Sequence, residues 1–398
     1  MNFNKKTVRD IDVRGKKVLI RCDFNTPIDE NGHLTDERRI QGALPTLRYL
    51  ITSGAAVIVV SHLGRPKGQV NPKYTLAPVA KRLAELLKLP VSLAQDVIGP
   101  DADRLCAEIQ PGQIVMLENV RFHKEEEKND PVFSQKLASY ADVYVNDAFG
   151  TSHRAHSSTA GVAAYLPAVC GFLIEKEISV IGKALTNPAR PFVAITGGAK
   201  VSDKIGVVNA LIDQCDTVII GGAMSYTFLR ALSGRLGTSP CELDKLDLAS
   251  DILVRAMEEN VRLALPEDLV ATETFAADAQ PHIVPSRQVP DNMGGMDMGP
   301  KTIEKFKKYL KDAGTVVWNG PLGVFEFEQF ATSTREIARA VAESGAVSII
   351  GGGDSAAAIE QLGFSDRVTH ISTGGGASLE LIEGKELPGI ACLMDSDE

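Results

Sequence analysis

Short apolar runs alternate with amphipathic stretches along the whole chain of 398 residues. In the first half the runs at 18–24, 56–62, 91–95, 114–118 and 143–148 read as strands, and 38–53, 75–88 and 131–141 between them have helical periodicity. The runs are apolar on both faces, as parallel strands covered by helices must be. The second half repeats the pattern, with strands at 192–196, 217–220, 315–318, 347–350 and 368–371. Helices are expected there at 203–214, 246–261, 301–312, 332–344 and 355–361. The chain is too long for one ordinary core, so the economical architecture is two successive α/β units. Each would be a Rossmann-like three-layer αβα domain with a mostly parallel sheet. Residues 172–185 read as one helix, which Asn187-Pro188 stops. The expected division is a first domain at 1–172, an inter-domain helix at 173–185 and a second domain at 186–386. The stretch 266–300, rich in Pro, Asp and Gly, reads as irregular excursions from the second domain.

Composition changes this picture little, but the distribution of charge does. The formal net charge is −9, yet residues 1–185 hold 24 Lys and Arg against 21 Asp and Glu, while 186–398 hold 18 against 30. The asymmetry disfavours nucleic acid as a partner of the second half and is compatible with an anionic ligand in the first. Two solvated surfaces of differing charge would explain the totals equally well. Cys22, Cys106, Cys170, Cys215, Cys241 and Cys392 are scattered without a C-x-x-C pair, and the first residues are polar and charged. Free thiols in a cytoplasmic protein are the expectation. No apolar run approaches the length of a membrane span.

The candidate chemistry gathers where strands end. The first-half strands run into Arg21-Cys22-Asp23-Phe24-Asn25, Ser61-His62-Leu63-Gly64-Arg65, Glu118-Asn119-Val120-Arg121 and Asn146-Asp147, with His153-Arg154-Ala155-His156 close behind. One arginine at a strand end is usually ordinary surface. Four strand ends delivering Arg with Asn or His to one sheet edge suit phosphate and carboxylate, which guanidinium forks bind well. Arg39 adds another cation at the start of the first helix. His62, His153 and His156 suggest a metal less well than an anion, because an arginine is a poor neighbour for a bound cation.

The second-half strands run into glycine-rich loops: Gly197-Gly198-Ala199-Lys200, Gly351-Gly352-Gly353-Asp354-Ser355 and Ser372-Thr373-Gly374-Gly375-Gly376. Such loops let backbone N–H groups approach an anion at a helix N-terminus. Gly351 to Ala356 fits a relaxed dinucleotide fingerprint, but the acid expected about 20 positions on is missing, which disfavours a nicotinamide cofactor. No G-x-x-x-x-G-K-S/T segment occurs. What remains is a phosphate-cradling loop whose Asp354 either holds Mg2+ or caps its helix. Lys200 and Lys204 are placed to reach phosphates, although a solvated helix face explains Lys204 nearly as well. A non-catalytic two-lobed anion binder would need a secretory leader, and the charged N-terminal residues do not read as one.

These segments, together with Trp318-Asn319-Gly320-Pro321-Leu322-Gly323-Val324-Phe325-Glu326, resemble phosphoglycerate kinase, in family order and over essentially the whole chain. The resemblance implies Mg-dependent, reversible phosphoryl transfer from 1,3-bisphosphoglycerate to ADP, giving 3-phosphoglycerate and ATP. It implies in-line transfer after hinge closure, in a monomer with no nucleic-acid or membrane partner. It also implies that the segment 387–398 returns to the first domain. The phosphoglycerate site would take Asp23, Phe24, Asn25, Arg39, His62, Leu63, Gly64, Arg65, Arg121 and Arg154. Catalysis would rest on Arg39, Lys200 and the backbone at Gly374 and Gly375. For the nucleotide the resemblance implies Gly198, Ala199, Lys200 and Lys204 with Gly222 and Ala223. Asn319, Pro321, Gly323, Val324 and Glu326 would complete the adenosine pocket. Gly352, Gly353, Asp354 and Ser355 would form the phosphate loop, with Asp354 as the metal ligand. Ser355 stands where many family members have Thr, and Ala223 where many have Gly.

Overall fold

A computed structural model of the chain describes residues 2–396. It divides into two compact units, one running to Ser179 and resuming at Lys385, the other spanning Val180–Gly384. The division falls inside the helix Phe172–Thr186.

In the first unit the strands are β1 (Lys17–Arg21), β2 (Ala56–Val60), β3 (Val91–Leu93), β4 (Ile114–Met116), β5 (Val143–Asn146) and β6 (Ala168–Cys170). They form one sheet in the order β3-β4-β2-β1-β5-β6. Every pair is parallel, so all carboxyl ends lie on one edge. The order reverses beside β1, and such a switch point leaves a crevice at the carboxyl edge. β2 is buried at every position, which explains its unbroken Ala-Val-Ile-Val-Val run. The helix Arg38–Thr52 covers one face through Ile40, Ala43, Leu44, Leu47 and Leu50, one stripe of a 3.6-residue period. The chain returns to this unit at its end. Met394 O accepts from Lys6 N at 2.9 Å, and Gly389 O accepts from Asn146 Nδ2 at 2.7 Å. Of the expected returning segment, 397 and 398 lie outside the described residues.

The second unit begins with β7 (Phe192–Thr196), β8 (Thr217–Ile220), β9 (Arg235–Leu236) and β10 (Arg262–Ala264). Next come β11 (Asp268–Thr272), β12 (His282–Pro285), β13 (Gln288–Val289) and β14 (Gly294–Met298). β15 (Thr315–Asn319), β16 (Val347–Gly351) and β17 (His370–Ile371) complete it. The main sheet has the order β10-β8-β7-β15-β16-β17, again parallel throughout. Thr196, Asn319 and Gly351 stand in register across its centre.

The stretch 266–300 is not irregular, contrary to the sequence reading. It contains the antiparallel sheet β12-β11-β14, and β13 pairs with β9. β12 is mostly exposed, and β14 opens on Gly294-Gly295 without a β-branched residue, so neither carries the buried apolar run that marks the main-sheet strands. Asp268 at its start accepts from Thr302 N at 2.9 Å and ties the sheet to the helix Pro300–Lys311.

Candidate active site

The carboxyl edge of the first sheet collects the predicted anion ligands. Beyond β1, Asp23 accepts from Arg39 Nη1 with both carboxylate oxygens at 2.7 Å, and its Oδ1 also accepts from Asn25 N at 3.1 Å. Asn25 Oδ1 accepts from Gly64 N at 2.8 Å, joining the turns after β1 and β2. Arg121, from the turn after β4, donates from Nη1 to Gly64 O at 3.1 Å. Asn119 fixes that turn by donating to Leu63 O and Tyr74 O. Arg65 and Arg154 are exposed, while Arg39 and Arg121 are half-buried.

So many cations on one edge depress one another's neighbours. Burial, then Arg21, holds the Arg121 guanidinium below its usual range. His156 is pushed down to about 4 by burial and by Arg121, Arg21 and Arg154. His62 is held well below its ordinary value by burial, Arg21, Arg121 and Arg39. At neutral pH both rings are therefore uncharged, and the arginines carry the positive charge of the edge.

Three of the residues grouped at this edge by sequence have buried side chains. Phe24 is fully buried in the core and its N–H donates to Ser61 Oγ at 2.9 Å, so it supports the edge from beneath. Leu63 is likewise a core side chain. Arg21, grouped by sequence with the anion-binding arginines, is also fully buried, and each of its guanidinium nitrogens already has a partner within the fold. Being the last residue of a central strand, it points where the strand's alternation sends it.

In the second unit the carboxyl edge carries the glycine loops. Gly197, directly after β7, packs so closely on the turn after β15 that a Cβ would lie 2.0 Å from Pro321 O. The turn after β8 joins the same knot, with Gly222 N donating to Leu322 O at 3.0 Å and Met224 N to Gly198 O at 2.9 Å. These glycines hold backbone against backbone. Gly353 differs, since nothing lies within 4 Å of where its Cβ would be. It opens the helix Gly353–Gln361, whose first N–H groups have no intrahelical acceptor.

Lys204 lies on the helix Val201–Gln214 and donates from Nζ to Asn319 Oδ1 at 2.6 Å. Burial holds its ammonium below the usual lysine range. Lys200, just ahead of that helix, is exposed, as is Ala199. Ser355 is fully buried, its hydroxyl donating to Gly351 O and accepting from Gly320 N at 3.3 Å, so it braces the loop from within. Gly374 N donates to Ser372 Oγ at 3.2 Å, which occupies an N–H expected to face phosphate. Gly375 leads into the helix Gly376–Ile382.

The segment expected to hold the nucleoside rests on the antiparallel sheet that sequence reading missed. Val324 N donates to Met296 O at 2.9 Å, and Gly323 packs so that a Cβ would fall 2.2 Å from Asp297 Oδ1. Val324 joins a small apolar cluster with Ala279, Met296 and Phe330. The sequence signals for this support were the run Leu269-Val270-Ala271-Thr272 and the apolar Met296 and Met298 around Asp297.

Among the described residues no group of three His, Cys, Asp or Glu side chains could hold a metal ion. Mg2+ needs fewer, one or two carboxylates with phosphate oxygens and water completing the shell. Asp354 fits that requirement. Partial desolvation, then the nearby Glu326 charge, raises the carboxyl of this surface residue above the ordinary range, and a divalent cation would offset that negative charge.

The fold and the two edges define a two-unit, parallel-sheet α/β protein with one cationic anion edge and one glycine-loop edge. Residues 8–385 match the family model for phosphoglycerate kinase. The chain is 55% identical to a phosphoglycerate kinase of Clostridium botulinum strain Okra, over 99% of this chain and 100% of that protein. It is also 55% identical to one from Clostridioides difficile, with 98% of each covered. Its fold is similar to the phosphoglycerate kinase structure from Coxiella burnetii, with a TM-score of 0.89 and 40% identity over 98% of each chain. The corresponding structure from Pyrococcus horikoshii gives 0.85 and 34%, again over 98% of each. The chain belongs to the phosphoglycerate kinase family.

Proposed function

We propose that the chain catalyses its family's reaction, reversible transfer of a phosphoryl group between 1,3-bisphosphoglycerate and ADP, yielding 3-phosphoglycerate and ATP. The observation that carries this reading is the segregation of chemistry between two parallel sheets. One carboxyl edge gathers Arg39, Arg65, Arg121 and Arg154, and the other gathers glycine loops with Lys200, Lys204 and Asp354. The arginine edge suits a small, doubly anionic carbon substrate, and the loop edge suits a nucleotide. Asp354 would hold Mg2+, which would supply positive charge to offset that of the nucleotide phosphates. Phosphoryl transfer asks for positioning and charge neutralisation rather than covalent catalysis by the protein. Arg39 and Lys200 supply that neutralisation, joined by backbone N–H groups near Gly375. The attacking oxygen, carboxylate or diphosphate, is already ionised, so no general base is required.

Because the two substrates are bound by different units, transfer requires a closing motion during turnover, with 172–185 and Ser372-Thr373 as the hinge elements. Water must be excluded while the reacting atoms come within about 3–3.5 Å. The protein works as a cytoplasmic monomer. Among the described residues no helix is long and apolar enough to cross a membrane.

The direct test is ATP formation from ADP, Mg2+ and enzymatically generated 1,3-bisphosphoglycerate, read by a coupled assay. Absence of turnover in a folded sample that binds Mg-ADP would remove the assignment. Small-angle scattering on the free protein, each binary complex and the ternary complex tests closure, and an unchanged radius of gyration would count against it.

A further inference from the structure

A polar chain runs inward behind the arginine edge, and the substrate-binding role leaves it unexplained. Glu126, from the short helix Lys124–Glu127, is fully buried. Its carboxylate accepts from the backbone N–H of Ser158 at 3.0 Å and from the Ser158 hydroxyl. Ser158 Oγ in turn accepts from Arg21 Nε at 2.8 Å. Arg21 Nη1 donates to Cys22 O, and Nη2 faces His62 Nδ1 at 3.1 Å. Arg21 and Ser158 are fully buried like Glu126, and His62 is 3% exposed.

A guanidinium only donates, so His62 Nδ1 must be the acceptor in this pair. The proton of the neutral ring then sits on Nε2. The charged and titratable groups around the ring act in the same direction. Arg21 approaches from the end of β1, Arg39 from the first helix, Arg121 from the turn after β4, and His156 from the segment after β5. The three guanidinium charges disfavour a second proton on the imidazole at neutral pH, and His156 adds to them only where it is itself protonated.

We propose that Glu126, Ser158 and Arg21 are positioning residues that hold His62 as a neutral, Nε2-protonated imidazole, so that the ring meets the carbon substrate as a single hydrogen-bond donor. Arg21 is then no ligand of the substrate. Glu126 orients Ser158, Ser158 orients the guanidinium, and the guanidinium selects the tautomer. The consequence for recognition is selective, because a neutral donor leaves charge matching to the arginines and can report on an oxygen without repelling its neighbours. This inference deepens the assignment of the edge to phosphoglycerate and rests on it only for the identity of the ligand.

Long-range nitrogen–proton NMR of the histidine rings in the full-length, ligand-free protein tests it between pH 5 and 8. The expected result is a His62 ring in the Nε2–H form that does not titrate over this range. A His62 that titrates near pH 6.5, or that carries its proton on Nδ1, overturns the proposal without any variant. Ser158→Ala and Arg21→Met should each mix the tautomers and make KM for 3-phosphoglycerate depend on pH. KM should rise about 3- to 10-fold, the worth of one neutral hydrogen bond, with kcat changed less. Arg21→Lys, which restores a donor, should recover part of the Nε2–H signature. Variants that fold and keep the wild-type ring signals would also overturn it. Adding 3-phosphoglycerate to the wild type separates the two readings. An Nε2–H His62 whose signals ignore the ligand would leave the tautomer device standing and remove the ligand assignment.

Discussion

One guanidinium nitrogen of Arg39, Nη1, stands 2.7 Å from both carboxylate oxygens of Asp23. The Arg39 side chain is 39% exposed and that of Asp23 12%, so the pair sits at the rim of the edge with the carboxylate on its inner side. Asp23 holds the cation in place by charge while most of the planar fork stays available. Arg39→Ala should lower kcat by on the order of 10³-fold or more, as loss of a transition-state cation does, with a smaller change in KM. Arg39→Lys should recover only part, because a point charge cannot reproduce the fork. A raised KM with intact kcat in steady-state kinetics would contradict the catalytic role.

The two lysines should separate in their kinetics. Lys204 is half-buried and bonded to Asn319, whereas Lys200 is exposed ahead of its helix. Lys204→Ala leaves the Asn319 amide without its partner and should raise the KM for Mg-ADP about 10-fold or more. Lys200→Ala should chiefly reduce kcat. Identical profiles for the two variants would show that the distinction drawn from burial is wrong.

Two glycines of the nucleotide edge should respond in opposite ways to one methyl group. Gly197→Ala would bring a Cβ to 2.0 Å from Pro321 O, with backbone on both sides that cannot yield. A loss of about 2 kcal/mol or more is expected by denaturant unfolding, together with weakened nucleotide binding. Gly353→Ala meets nothing within 4 Å and should leave stability nearly unchanged. It should still weaken Mg-ATP binding in calorimetry, by placing a methyl group where phosphate approaches the helix N-terminus. Unaltered Mg-ATP affinity in Gly353→Ala would argue that phosphate does not bind there.

Removing the Asp354 carboxylate should cost metal affinity before it costs fold, since the side chain is exposed. In Asp354→Asn the affinity for Mg-ADP should fall about 10-fold, while that for metal-free ADP stays close to the wild-type value. Relief of its repulsion with Glu326 works the other way, so stability should be unchanged or slightly higher. Equal Mg-ADP affinity in variant and wild type would exclude Asp354 as a ligand.

Two buried carboxyls give the protein a pH-dependent stability. Burial pushes Asp147 and Asp297 each up to about 7, despite hydrogen bonds from Leu173 N to the first and from Ser333 to the second. In the unfolded chain both ionise near pH 4, so between about pH 4 and 7 the folded state holds more protons than the unfolded. Their contribution to stability therefore falls as pH rises through that window and is constant above it. Asp147→Asn keeps an acceptor for Leu173 N and should flatten part of the slope. The difference at pH 8 should be on the order of 1 kcal/mol or more in favour of the variant. A wild-type-like slope in Asp147→Asn from pH 4 to 8 would refute the role of that carboxyl.

Much of the fold was legible because its signals are local. The periods of apolar residues in 38–53 and 56–62 depend only on neighbours in the chain, and both elements are present as Arg38–Thr52 and Ala56–Val60. The same locality explains the miss at 266–300, where short strands such as Gly294–Met298 form through partners far away in sequence and bear little periodicity of their own. Most arginines and glycines of the two edges stand out as candidates in sequence because strand ends in parallel sheets share one edge whatever their order.

The sequence by itself determined the two α/β units, the alternation of their elements and the chemical character of each edge, since these follow from period and residue type. Only the tertiary structure decided what each side chain faces. Arg21 and Arg39 are the same residue type 18 positions apart, yet one is sealed among Ser158, Cys22 and His62 and the other stands at the rim with Asp23. Gly197 and Gly353 both follow apolar strands, yet one is pressed on backbone and the other is open. Strand order and packing bring Arg21 to His62 across 41 residues and to Ser158 across 137. Contacts of that span are set by the closure of the whole fold, and no local pattern encodes them.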